Sequence, residues 1–357
     1  MVETRAARRV SAGGARAKSP ARRAKSPAKR AKSPARGGKA KNLAAPPAEL
    51  SPYDMPPLEK FLRCVLLPLF LLVPCPLLVA VLAFATNSDA VASPSLDGLA
   101  AYVAEHGVAG LVSDAFAYIG VVGTADAWKL LGYFNLAALA LYYVPGAEKR
   151  GPRTATGHVP TYVDNGVAHC ACSTLLFLGG ARAGLYDAGV LYDLFPGTIG
   201  ALNAFGLAFC GFLYVKGLVH PSTADCGKSG GGFVFDYYWG TELYPRVFGI
   251  DVKKFVNCRF AMTYWQLAGL SFACKSRQLH GQWDPGLVLA ALSQYLYLVK
   301  FFAWEIGYMR SIDIIVDRAG FYETWGCLVW VPCVYTLHSR CGVRAPTGLG
   351  WFQALAI

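Results

Sequence analysis

The chain has 357 residues, of which 54% are hydrophobic and only 16% charged, with 38 Gly, 21 Pro and a formal net charge of +12. Soluble domains carry about 45–50% apolar and about 25% charged residues, so too little polar surface exists here to wrap the apolar side chains in water. That excludes an ordinary water-soluble enzyme, an intrinsically disordered protein and a small disulfide scaffold, and leaves a polytopic all-α transmembrane helix bundle.

In chain order, the first segment holds nearly all the net charge. Residues 1–42 contain 14 Lys/Arg and one acid, Glu3, whereas the remainder contains 20 basic and 21 acidic residues. A seven-residue unit recurs as AKSPARR from Ala17, AKSPAKR from Ala24 and AKSPARG from Ala31. Dense like charge and three Ser-Pro steps keep such a segment from packing, so 1–57, with its Pro-rich linker 45–57, is expected to be a disordered basic tail. Three roles suit it. Its cations could neutralise the phosphates of nucleic acid, with phosphorylation of Ser19, Ser26 and Ser33 loosening the contact. It could be an Arg-rich, acid-poor transit peptide. It could also be a cytosolic tail touching anionic lipid headgroups beside a membrane span.

The run 61–85 follows, 25 residues whose only charge is Arg63. That exceeds the roughly 20 residues a helix needs to cross a bilayer, and Pro68, Pro74 and Pro76 predict a kink. Further apolar stretches lie at 130–144, 167–185, 195–219, 260–274, 286–304 and 321–337, giving about seven helices, with 115–122 too short to assign. The region 58–357 therefore reads as one multi-span membrane domain.

Charged groups at membrane depth are costly and need a cavity, a partner or the interface. In GKSGGGFVFDYYWGTELYPR (227–246), Asp236, Glu242 and Arg246 sit among Phe233, Phe235, Tyr237, Tyr238 and Trp239. On a helix Glu242 and Arg246 could pair at i,i+4. The segment suits either the mouth of an aromatic-walled pocket or an interfacial helix with a Tyr/Trp belt. In KFFAWEIGYMRSIDIIVDR (300–318), Glu305, Asp313 and Asp317 lie among bulky apolar residues, and on a helix only Asp313 and Asp317 share a face. A carboxylic acid in an apolar pocket can serve as a proton donor; such acids can equally be interfacial charges at a helix–loop–helix turn. The six His have no HxxxH or HxH spacing and read mostly as loop or helix-end residues, so no metal site is expected. Most of the 11 Cys lie in apolar stretches and none forms a CxxC, which argues against a disulfide framework. The P-loop and GxGxxG signatures are absent from the sequence, and no GxSxG nucleophile elbow is read in it.

The segment GFVFDYYWGTELYPR (232–246) carries the signature of the sterol reductase family, a Gly-rich stretch, Asp, aromatics, Gly, Glu-Leu and Pro-Arg, with Tyr244 where the family commonly has Asn. HVPTYVDNGVA (158–168), FLYVKGLVHPS (212–222), DYYWGTELYPRVF (236–248), VNCRFAM (256–262) and KFFAWEIGYMRSIDIIVDRAGFYETWGCLVWVPCVYT (300–336) extend the match. Over about 53–338 the chain resembles these polytopic endoplasmic-reticulum enzymes, especially the plant-type Δ7 branch, with the Δ14 branch next.

The resemblance implies sterol biosynthesis by NADPH-dependent reduction of the C7–C8 double bond of a Δ5,7-sterol, in which an acid protonates the alkene and a hydride quenches the cation. It puts Asp236, Tyr237, Tyr238, Glu242, Arg246, Trp304, Tyr308 and Trp325 near the sterol and makes Glu305, Asp313 and Asp317 the proton-donor candidates. The family's NADPH motif, SGWWGxxRHxxY, does not occur here, so no cofactor-binding residue carries over. The apolar end GLGWFQALAI is read as a truncation before the cofactor half, leaving a chain expected to be inactive alone. The non-catalytic alternative is a sterol-binding or chromatin-tethering membrane protein, since lamin B receptor also joins a basic region to a reductase-like body.

Overall fold

The structure, a computed structural model, describes residues 54–356. The readings made for the AKSPA repeats therefore lie outside the described residues. Helix α1 (Pro57–Asn87) carries its charges, Glu59, Lys60 and Arg63, in its first two turns and is otherwise apolar and long enough to span a bilayer. Its hydrogen-bond ladder is interrupted at Val73 (φ −96°, ψ −56°), immediately ahead of Pro74, which brings a proline ring and a missing N–H. Helix α2 (Leu96–Ile119) starts at Ser95, whose Oγ accepts from Gly98 N at 3.1 Å, and breaks at Gly107, which has φ 73°. Sequence reasoning missed α2 because Asp97, Glu105, His106 and Asp114 interrupt its apolar face. The fold tolerates Asp114 because Tyr102 donates to its Oδ2 at 2.7 Å.

Helix α3 (Ala125–Tyr142) is capped by Thr124 and leads into an antiparallel hairpin, β1 (Ala147–Arg150) and β2 (Thr161–Asp164), with Ala147 opposite Asp164. Then come α4 (Gly166–Arg182), the single turn α5 (Val190–Asp193) and α6 (Phe195–Val219). A short helix α7 (Phe233–Trp239) is followed by a tight hairpin of β3 (Arg246–Val247) and β4 (Ile250–Asp251). The π-helical α8 (Lys254–Ala261) runs straight into α9 (Met262–His280), which ends at left-handed Gly281. Asp284 caps α10 (Pro285–Ala303), and two single turns follow, α11 (Glu305–Tyr308) and α12 (Ile312–Ile315). The π-helical α13 (Phe321–Tyr335), α14 (Leu337–Arg344) and α15 (Trp351–Ala356) complete the described residues.

Each of the seven apolar stretches coincides with helix over most of its length, with 130–144 and 167–185 running two or three residues past the helix ends, and the protein is mostly helical with short strands. By length and composition α1, α6 and α10 are sufficient to cross a membrane. Helix α6 is central, packing on α1, α2, α3 and α13. Its crossing with the α2–α3 turn is a backbone contact: a Cβ on Gly200 would lie 2.2 Å from Gly120 O and 2.4 Å from Ile119 O. Only glycine fits there, the same device that lets membrane helices approach closely. Phe195, Ile199, Leu202, Phe260, Phe272 and Trp325 form the middle of the core.

The segment 227–246 is not one amphipathic helix. Gly240 (φ 103°) stops α7, and a Cβ there would meet the Ala319 carbonyl carbon at 2.7 Å. Glu242 lies beyond it in an extended bridge with Cys226, so no helical i,i+4 pair with Arg246 forms.

Candidate functional site

Helices α3, α4 and α9, with the α5 turn, enclose an apolar groove of about 770 Å³ walled by Phe134, Ala138, Leu141, Phe177, Leu191 and Leu267. Pockets for small organic molecules run to about 300–1,000 Å³ and combine apolar walls with a few polar groups. The lining extends along α3 from Asp126 to Leu141, about 22 Å of helix. The groove is open where Tyr133, Leu176 and Leu185 are exposed. A second, smaller apolar cavity of about 340 Å³ lies against Leu131, Leu202, Phe209, Phe260 and Leu328.

The two ends of the larger groove differ chemically. At one end Lys129 and Asp126 pair with each other at 2.9 Å, each side chain 68% exposed. At the other, His169 and Thr263 are buried, with His169 Nε2 2.8 Å from Thr263 Oγ1. The second ring nitrogen, Nδ1, is buried and has no protein partner. Spacing by four along α4 puts His169, Ser173 and Phe177 on one face, and all three line the groove.

Behind the His169 end lies a buried charge network. Arg259 on α8 grips Glu305 on α11 with a two-pronged fork: NH1 donates to Oε1, and NH2 donates to Oε2 at 3.0 Å. The same NH2 donates to Asn165 Oδ1 at 2.6 Å, and Asn165 Nδ2 donates to Val144 O at 2.6 Å and Tyr142 O at 3.2 Å. Lys254 Nζ stands 3.7 Å from Glu305 Oε2 and donates to Val163 O at 2.5 Å. Both members of the Arg259–Glu305 pair are fully buried. Planar guanidinium and carboxylate fix each other's orientation, so the network ties the end of α3, strand β2, the start of α4, α8 and α11 into one rigid backing.

The residues singled out in the sequence fall into separate groups. Asp236, Tyr237, Tyr238 and Trp325 gather where α6, α7 and α13 meet. Asp236 Oδ1 accepts from Ser229 N at 2.9 Å and Ser229 Oγ at 2.5 Å, which closes the glycine loop onto α7. Tyr237 donates to Leu207 O at 2.8 Å, Tyr238 packs on Phe321 and Tyr322, and Trp325 Nε1 donates to Asn203 Oδ1 at 3.0 Å. Glu242 is buried, accepting from Lys216 Nζ at 2.8 Å and from Ser222 N, while Arg246 donates to Gly249 O within its own hairpin. Trp304 is 66% exposed, and Tyr308 packs on Phe301. Glu305 belongs to the charge network.

Asp313 and Asp317 are half-buried, and α12 ends before Asp317, so the shared helical face expected of them does not form. Burial raises the Asp317 carboxyl above the usual carboxylate range, and the negative Asp313 adds to it. None of these candidates lines either cavity.

Sequence reasoning passed over His169, Asn165, Lys254 and Arg259. The charges left a signal: Arg259 is a lone cation within VNCRFAM and Glu305 a lone acid within KFFAWEI, and a charge at membrane depth calls for a partner. Their separation of 46 residues concealed the pairing.

A nicotinamide dinucleotide needs cations or helix N-termini free to meet its phosphates. Among the described residues the buried cations are already committed. Lys216 holds Glu242, Lys253 donates to Ile314 O and Asp317 O, and Lys254 and Arg259 serve the network. Arg340 is bonded to Thr86, Cys333 O and Thr336. These cations do not fit a dinucleotide phosphate site.

The sequence pattern of the ergosterol biosynthesis ERG4/ERG24 family matches residues 76–357. The chain is 37% identical over 255 residues to the 7-dehydrocholesterol reductase of Arabidopsis thaliana, covering 71% of this chain and 58% of that protein. It is 32% identical over 230 residues to the 7-dehydrocholesterol reductase of Xenopus laevis, covering 63% and 49%. To the Delta(14)-sterol reductase of Methylotuvimicrobium alcaliphilum it is 32% identical over 218 residues, covering 61% and 49%. The chain spans about half the length of the curated relatives it matches.

Proposed function

The chain belongs to the ergosterol biosynthesis ERG4/ERG24 family, and from that premise we propose that it serves sterol biosynthesis as a membrane-bound reductase of the C7–C8 double bond of a Δ5,7-sterol, with NADPH as hydride donor. The 7-dehydrocholesterol reductases at 37% and 32% identity support the Δ7 position, against 32% for a Delta(14)-sterol reductase. The proposed compartment is the endoplasmic-reticulum membrane, with the basic tail cytosolic and meeting anionic lipid or nucleic acid.

The observation that carries the sterol reading is the groove between α3, α4 and α9, with its apolar walls and one buried polar end. A rigid tetracycle with a single hydroxyl has the same distribution of polarity. Because lipid tails are as apolar as the groove wall, transfer from the bilayer gains little from hydrophobicity. Selection then rests on shape and on the few polar contacts.

Reduction adds one proton and one hydride across the double bond. Burial favours the protonated form of Asp317, as it does of Asp251, but neither lines the groove, and Glu305 is tied into a charge pair that positions helices, so no proton donor is assigned. In this proposal the hydride would come from NADPH, for which no phosphate site is assigned among the described residues.

Sterol profiling after disruption of the gene that carries this chain tests the proposal. Accumulation of Δ5,7-sterols is expected. Accumulation of Δ14-sterols instead would reassign the position of the double bond, and an unchanged profile would remove the reductase reading.

A further inference from the structure

Phe248 is 97% exposed, and among the described residues it is the one non-glycine with a positive φ, 50°. With Gly249 at φ 81° it makes the two-residue turn of the β3–β4 hairpin, in which Val247 pairs with Ile250. Positive φ at both turn positions suits Asn and Gly, whereas a bulky side chain there is strained. Such strain persists where the side chain has a use, and a ring this exposed is not used for packing within the fold.

The bonds around the hairpin fix where its tip stands. Arg246 N donates to Ser222 Oγ at 2.9 Å, three residues past the end of α6, and Asp251 N donates to Tyr142 Oη at 3.4 Å, on the last residue of α3. Helix α6 is long and apolar enough to cross a membrane, so the hairpin stands at the level where that span leaves the lipid. Exposed Tyr133, Leu136 and Tyr143 put α3 on the outer, lipid-facing side of the bundle. The tip also carries a cation. Arg246 is exposed, and its Nε and NH2 donate to Gly249 O at 3.1 and 2.5 Å, while its NH1 has no bond to the described residues. Its cross-strand neighbour Asp251 is buried and accepts from Lys254 N at 2.9 Å. An apolar ring beside a cation matches the boundary between acyl chains and phosphates.

We propose that the β3–β4 hairpin is a membrane-interface anchor, with Phe248 entering the boundary between headgroups and acyl chains and Arg246 NH1 donating to a lipid phosphate. The anchor depends on the membrane character of the protein and not on the sterol reading. Anionic lipid strengthens the contact, because it raises the negative charge that a cation at the surface meets.

The test places para-trifluoromethylphenylalanine at position 248 of the full chain in lipid nanodiscs and follows its fluorine resonance. Two relaxation agents are compared, a nitroxide high on the phospholipid acyl chain and a water-soluble gadolinium chelate. The same label in place of Leu136 on α3 and of Thr156 in the β1–β2 loop calibrates lipid and water. The signal at 248 should be lost to the nitroxide, as at 136, and should survive the chelate. Adding phosphatidylserine should increase the nitroxide broadening in the wild-type background and not in Arg246→Gln, whose amide can still donate to Gly249 O. Loss to the chelate with survival in the nitroxide would place the tip in water and overturn the anchor. Survival in both would mean that a second copy or another protein covers the tip, and would overturn it equally. The same response to phosphatidylserine in both backgrounds would overturn the phosphate contact of Arg246.

Discussion

Arg259→Met removes the hub of the buried network and keeps much of the side-chain volume. In the wild type, Arg259 supplies both donors to Glu305 and one to Asn165, with neither charge reaching solvent. The substitution leaves a buried carboxylate whose nearest cation is Lys254 Nζ, 3.7 Å away and already donating to Val163 O. It also leaves Asn165 Oδ1 without its donor. Removing one partner of a buried pair costs about 3–5 kcal/mol, because the remaining charge stays buried without compensation. For a body of this size that corresponds to a melting temperature lower by roughly 6–10 °C. Thermal melts of the detergent-solubilised protein, followed by a fluorescent reporter on size exclusion, read this directly. The double variant Arg259→Met/Glu305→Leu should be less destabilised than the sum of the two singles by about 2 kcal/mol or more, since neither opposite charge is then stranded. An Arg259→Met protein that melts within about 1 °C of wild type, or a double variant that is simply additive, would refute the reasoning.

Other outcomes follow from local geometry. Gly200→Ala drives a Cβ to 2.2 Å from Gly120 O, a backbone atom that cannot rotate away; a loss of at least about 1–3 kcal/mol is expected in the same melts. Gly269→Ala, whose nearest neighbour would be 3.8 Å away, should be neutral or stabilise by up to about 1 kcal/mol through helix propensity. Trp325→Phe keeps the stack on Phe321 but strips the donor from Asn203 Oδ1, and should cost about 1–3 kcal/mol. Asp187, in the loop after α4, accepts from Gln278 Nε2 and Gly189 N, and these bonds hold its carboxyl below the usual carboxylate range. A depressed native pKa stabilises the fold above the unfolded value of about 3.9 and loses that contribution as pH falls through the native value. The gap between wild-type and Asp187→Asn melting curves should thus be constant near neutral pH and close only below about pH 4; a gap that closes on the alkaline side would contradict it.

Hydrophobic run length was the legible part of this sequence. All seven apolar stretches are helical over most of their length, and the first helix, expected to be disturbed by Pro68, Pro74 and Pro76, is interrupted at Val73. Helix α2 was hidden because its acids dilute the apolar pattern; Asp114 is accommodated by Tyr102, twelve residues earlier and across the Gly107 break. The segment 227–246 was misread as a possible helix because its aromatic run has no alternation to betray the stop at Gly240, which is set by contact with Ala319 far along the chain.

For the site, the resemblance led to motif residues that pack where α6, α7 and α13 meet or anchor nearby loops. The groove lies elsewhere. It is lined by residues of helices that begin at Ala125, Gly166 and Met262, a product of tertiary packing with no local signature. His169 was discounted as an end residue by sequence position alone. What distinguishes it, a ring nitrogen buried without a partner, exists only in three dimensions.

The most direct measurement is site mapping with a photoreactive Δ5,7-sterol carrying a small diazirine, crosslinked to the full chain in nanodiscs and read by peptide mass spectrometry. Adducts on α3, α4 and α9, at Phe134, Ala138, Phe177 and Leu267 and lost on competition with unlabelled sterol, are the predicted result. Adducts spread over the lipid-facing sides of α1 and α10, or undiminished by competitor, would contradict a sterol groove at this position.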